Sequence, residues 1–125
     1  MSLETMRPNP AWDAASYEDT VETFAAHREE LTVKIWGGDW CKDCRKLLPD
    51  FGAALAAAEI PDKQIEDIPV DQDKQGPGVE EYGIEYIPTI VVERDGEEVT
   101  RFVEEEPLPP AVYLAEQLEN TLGTA

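Results

Sequence analysis

Apolar and polar positions change rhythm several times along the chain, and each change marks an element. Ser16 followed three residues later by Asp19 has the spacing of a capping box, after which Val21, Phe24, Ala25, Arg28 and Leu31 recur every three or four residues. That periodicity predicts a helix from Tyr17 to Glu30. Leu31 to Trp36 is rich in β-formers and stops at Gly37-Gly38, which predicts a strand. From Cys41 to Ala58 the chain turns to Leu, Ala, Lys and Arg, good helix formers, with Pro49 expected to kink the helix. Ile65 to Val70, between Pro61 and Asp71, reads as a second strand. Strand, helix, strand is a βαβ crossover, so the two strands should be parallel.

Gly76-Pro77-Gly78 opens a short turn or helix that closes at Tyr82-Gly83, and Thr89 to Glu93 reads as a strand. Asp95-Gly96 is a type I′ hairpin signal, with Val99 to Val103 returning antiparallel. Ala111, Leu114, Ala115, Leu118 and Leu122 share one face of a final helix from Pro110 to Leu122, with Gly123 behind it. These elements predict an α/β fold, a central mixed sheet of four or five strands flanked by helices on both faces. At 125 residues the chain is expected to hold one domain at 17–125, preceded by an N-terminal extension at 1–16.

Charge narrows the functions. With 28 acidic residues against 10 basic ones the net charge is −18, which repels a phosphate backbone and offers no basic cluster to an anionic bilayer. Neither nucleic acid nor membrane is an expected partner. The acidic groups are dispersed, as in proteins of salt-loving microbes, where molar salt shortens the screening length to roughly 3 Å. The longest apolar run, Ala53 to Ala58, is too short to cross a bilayer, and the first ten residues hold no apolar stretch suited to a secretory signal. Part of Met1–Leu3 reads as a cloning remnant, and a cytoplasmic protein is expected. Only one block of ten, residues 41–50, is net positive, with Lys42, Arg45 and Lys46 against Asp43 and Asp50. It also holds both cysteines.

Cys41 and Cys44 stand at i and i+3 where a helix begins, so the first faces unpaired backbone N–H groups. This favours a thiolate at Cys41 by ~0.3–1 kcal/mol. Lys42 adds attraction, Asp43 offsets part of it, and Trp40 supplies a flat apolar wall. Three uses of the pair compete. A structural zinc wants four N or S ligands, and two Cys with His27 on another helix do not provide them, so no metal is expected. A disulfide closing so short a loop would stabilise little and would not persist in a reducing compartment. A CxxC beside a βαβ unit fits redox chemistry best.

The run Val33-Lys34-Ile35-Trp36-Gly37-Gly38-Asp39-Trp40-Cys41-Lys42-Asp43-Cys44, followed by Pro49, Val70-Asp71, Tyr82-Gly83-Ile84 and Ile87-Pro88-Thr89, resembles the thioredoxin family over about residues 17 to 122. The resemblance implies the thioredoxin fold and a thiol–disulfide oxidoreductase, acting as a protein-disulfide reductase: Cys41 attacks a substrate disulfide and Cys44 resolves the mixed disulfide. It implies a cis proline at Pro88 and a docking surface of Trp40, Lys42, Asp43, Ile87, Pro88, Thr89 and the loop after Val103. The cofactor is then none but the redox-active disulfide Cys41–Cys44. The partners are disulfide-containing proteins and a separate, usually flavin-dependent reductase, and the chain is expected to be a monomer.

Four positions depart from the family pattern. Lys42-Asp43 replaces the familiar Gly-Pro, leaving the direction of electron flow open. Ile35 stands where many members carry a buried carboxylate, and Asp67 where they carry its lysine partner, so Asp67 and Lys42 are the candidates to tune the thiols. Glu104 replaces a glycine of the substrate loop. Gly37-Gly38 replaces larger residues, from which a looser approach to Cys41 is expected. Two other functions share these features, a non-catalytic binding module of the same fold and a resolving partner or sensor in peroxide-linked thiol chemistry.

Overall fold

A computed structural model describes residues 3–103, 106 and 108–122. Four strands form one mixed sheet in the order β2-β1-β3-β4. They are β1 (Leu31–Gly37), β2 (Ile65–Pro69), β3 (Thr89–Arg94) and β4 (Glu97–Val103). β1 pairs parallel with β2, placing Ile35 opposite Asp67, and antiparallel with β3, placing Trp36 opposite Thr89. The sheet has four strands, within the four or five expected, and the βαβ crossover and closing hairpin are both present. At the hairpin Asp95 and Gly96 both take positive φ, 54° and 82°, as a type I′ turn requires.

Alternation along β1 assigns the two faces. Leu31, Val33 and Ile35 are fully buried on the face covered by α1 (Glu18–Ala26), α2 (Lys42–Ala57) and α4 (Pro110–Leu122), which also pack against one another. Phe24 of α1 meets Phe51 of α2 edge to face there, ring centroids 6.4 Å apart. On the other face Trp36 lies against Tyr82 of α3 (Val79–Tyr82), and Lys34 donates to the Tyr82 hydroxyl, which donates to Glu93. Helices thus shield both sides of β1.

Two expectations at the first helix fail. The helix ends at Ala26, because Glu30 and Leu31 both donate to the His27 carbonyl in a turn that delivers Leu31 into β1. His27 itself pairs with Glu30 in that turn. Nor does Ser16 cap it. Asp13 accepts from the Ala15 N–H and from the Ser16 hydroxyl, so an acid three residues upstream captures the serine and starts a short 3-10 turn, Ala14–Tyr17, ahead of α1. α4 has the expected limits, and Gly123 lies outside the described residues.

The segment before α1 is part of the core. Leu3 and Met6 are buried, and Glu4–Met6 forms a 3-10 turn packed on α2. Asp39, in the loop after β1, accepts from the N–H groups of Glu4 and Thr5 and from the Thr5 hydroxyl. Burial works against its charge, but these donors outweigh it and hold the Asp39 carboxyl below its ordinary range. Because the folded carboxyl is the more acidic, its contribution is complete above the unfolded pKa near 3.9 and fades as pH falls through the lower folded value. The stability gap between the wild type and Asp39→Ala, followed by urea unfolding, should therefore close as pH drops below about 4. Phe51→Ala, which empties a sealed aromatic site, should cost about 3–5 kcal/mol in the same measurement.

Candidate active site

Both cysteines stand where β1 hands the chain to α2. Cys41 is the N-cap of α2, in extended backbone conformation, and its sulfur accepts the Cys44 N–H at 3.3 Å. A thiolate at this place would satisfy one of the otherwise orphan amides of the first turn. The Cys41 N–H in turn donates to the Gly38 carbonyl at 3.0 Å, which folds the loop tightly into the helix. Cys41 is 9% exposed and Cys44 is fully buried, so reagents meet Cys41 first. Burial, and then the adjoining Cys41 sulfur, push the Cys44 thiol well above the ordinary range, with the Asp43 charge adding to them and the Gly38 N–H opposing. Ile35, fully buried and apolar, offers no carboxylate to take the Cys44 proton.

The glycine pair makes this loop tight, contrary to the looser approach expected. A Cβ on Gly37 would lie 3.1 Å from Cys44 Sγ and 3.3 Å from Leu48 Cδ1. A Cβ on Gly38 would sit inside the Trp40 indole, 2.6 Å from its Cε2. The space that glycine leaves is therefore filled by a sulfur and a ring. Trp40, 40% exposed, donates from Nε1 to the Val70 carbonyl at 3.2 Å, while the Val70 N–H donates to the Gly37 carbonyl at 2.9 Å. The end of β2 thus pins both ends of the loop.

Lys42 and Asp43 are exposed on the first turn of α2, as are Arg45 and Lys46. Ile87, Pro88 and Thr89 are buried at the sheet end where Thr89 pairs with Trp36, and the Ile87–Pro88 peptide is cis. The Thr89 hydroxyl donates to the Tyr86 carbonyl. Asp67, half-buried, accepts the Leu3 N–H at 2.8 Å. Glu104 lies outside the described residues. Sequence reasoning gave Leu3, Thr5 and Asp39 no structural role, because their contacts span 34 to 64 residues and leave no mark in local pattern. Among the described residues no group of three or more His, Cys, Asp or Glu could hold a metal, and no helix is long and apolar enough to cross a membrane.

Replacing Gly38 by Ala should displace the indole, red-shift tryptophan emission and change the alkylation rate of Cys41. Unchanged emission and rate would show that the loop tolerates the extra carbon.

Comparison with known proteins agrees with this geometry. The thioredoxin family model matches residues 11–114. The thioredoxin of Chlamydia trachomatis is 38% identical over 65 residues, 52% of this chain and 60% of that relative's length. The X-ray structure of Fasciola hepatica thioredoxin superposes with a TM-score of 0.53 at 27% identity, covering 86% of this chain and 93% of that one. A mutant thioredoxin from Halobacterium salinarum shares the fold at 21% identity and a TM-score of 0.51, covering 100% of this chain and 96% of its own. The chain belongs to the thioredoxin family of thiol–disulfide oxidoreductases and carries that family's CxxC pair as Cys41 and Cys44.

Proposed function

We propose that the chain is a protein-disulfide reductase cycling between a Cys41/Cys44 dithiol and disulfide. The observation that carries this reading is the Cys44 amide aimed at the Cys41 sulfur, with the second sulfur buried one helical turn behind. The Cys41 thiolate attacks one sulfur of a substrate disulfide. A bond forms between Cys41 and that sulfur, the substrate S–S bond breaks, and the other substrate sulfur leaves with the electron pair and takes up a proton. Cys44 then gives up its proton and attacks Cys41 Sγ, forming Cys41–Cys44 and releasing the second substrate thiol. The substrate gains two electrons, which a separate, flavin-dependent reductase must return to the protein.

Trp40, Lys42 and Asp43 border Cys41 and are accessible to an extended stretch of substrate, with Ile87, Pro88 and Thr89 at the same sheet end. The net charge of −18 supports a cytoplasm of high salt as the working medium, where screening relieves self-repulsion. The protein works there as a monomer.

With dithiothreitol as reductant, the wild type should reduce insulin catalytically and Cys41→Ser should abolish turnover, while Cys44→Ser, reduced and then freed of dithiothreitol, should hold insulin as a mixed disulfide visible by mass spectrometry. Absence of turnover in the wild type with any reductant would overturn the reading in favour of a binding module. The thermal midpoint should climb steeply from dilute buffer to molar potassium chloride. A flat response would assign the acidic surface to ordinary solvation.

A further inference from the structure

Two of the three large apolar side chains exposed among the described residues stand at the end of the sheet that carries Cys41. Trp40 precedes Cys41, and Tyr86, 50% exposed, precedes the buried Ile87–Pro88 pair. The loop after β2 joins them. Its Val70 carbonyl takes Trp40 Nε1, the Lys74 N–H folds back on the Asp71 carbonyl at 2.8 Å, and the Lys74 ammonium lies over the Tyr86 ring, 5.5 Å from its centroid. A rim of two aromatic rings and one cation therefore connects the sulfur with the cis proline.

Charges at this rim are left unpaired in a chain rich in acids. Acidic residues outnumber basic ones 28 to 10, so a cation has carboxylates to choose from. Arg28, Lys34, Arg94 and Arg101 each take one. Of the six Lys and Arg that form no ion pair among the described residues, four belong to this end: Lys42, Arg45 and Lys46 on the first turns of α2, and Lys74. Nearby acids are engaged elsewhere. Asp39 takes the N–H groups of Glu4 and Thr5, Asp50 takes Asn9 Nδ2, and Asp71 takes the N–H groups of Asp73 and Gln75 in its own loop. Asp43, Asp73 and Glu85 stay exposed beside the cations.

We propose that the mouth of Cys41 selects disulfides flanked by carboxylates, with Lys42 and Arg45 of α2 and Lys74 on its Tyr86 platform as the specificity-determining cations. The occupant is an acidic, cystine-containing segment of a protein substrate, whose apolar part packs on Trp40 and Tyr86. For turnover this rests on the reductase reading; the charge preference at the sulfur does not. At −18 the whole molecule repels such a segment from a distance, so the preference acts at close range. At physiological ionic strength the screening length of about 8 Å removes most of the distant repulsion and leaves the cations nearest the sulfur. In molar salt only charges in direct contact outlast screening, and docking against two rings brings them into contact.

The test reads Cys41 alone, in a Cys44→Ser protein at about 0.15 M salt. It compares the rates of attack on three small disulfides: dithiodiglycolate with two carboxylates, neutral bis(2-hydroxyethyl) disulfide, and cystamine with two ammonium groups. Each rate is divided by that of the neutral thiol N-acetylcysteinamide, which removes leaving-group differences, and the ratio between disulfides cancels any change in Cys41 itself. One carboxylate about 8 Å from one cation in water alters a rate roughly twofold. The dianion should therefore exceed the dication by roughly fourfold or more, with the neutral disulfide between them. Lys74→Gln and Arg45→Gln should each lower that ratio, and Lys74→Arg should keep it. A ratio at or below one in the Cys44→Ser parent would overturn the proposal, as would a ratio that neither glutamine variant lowers. Insulin turnover by the wild type is scored separately. Its failure beside an intact ratio would sink the reductase reading and leave the selectivity standing, whereas turnover without charge preference would do the reverse.

Discussion

An amide hydrogen directed at a sulfur organises this molecule. For the Cys44 N–H to reach Cys41 Sγ, α2 must begin at Lys42, its N-cap must stay extended, and the loop from β1 must turn within a few residues. The glycines at 37 and 38 permit that turn by yielding their volume to Cys44 Sγ and the Trp40 ring. β1 in turn is fixed as an interior strand between β2 and β3, which also brings the end of β2 beneath the loop and the start of β3 beside it. The chemistry is therefore held by the most thoroughly bonded part of the sheet, with the more exposed hairpin strand at the edge.

The two sulfurs occupy different solvents. Cys41 faces the exposed, locally cationic first turn of α2, and Cys44 faces leucine, glycine and the sheet. Burial opposes a thiolate in the second. In the proposed cycle, order of attack follows from exposure: the outer sulfur captures and the inner one resolves. Ile35, fully buried on the same face of β1, adds an apolar side chain and no proton acceptor.

What could be read from the sequence was what depends on near neighbours. The βαβ unit, the Asp95-Gly96 hairpin, α4 and the CxxC at a helix start all follow from residues a few positions apart. The first helix went wrong for the same reason, since Asp13 outcompetes a plausible capping pair and the entry into β1 shortens the helix. Gly37-Gly38 signals freedom in sequence, but only three-dimensional packing shows that the freedom is consumed. The ties from Asp39 to Thr5 and from Asp67 to Leu3 join residues far apart in the chain, and no periodicity announces them.

The Leu3 contact has a practical corollary. Its amide is tied to β2, and the next two amides to Asp39 in the loop ahead of Cys41, so a dye or crosslinker attached to this segment would pull on the loop that carries the reactive pair. Labels for activity work belong away from residues 3–9, for example on the exposed Asp95-Gly96 hairpin turn.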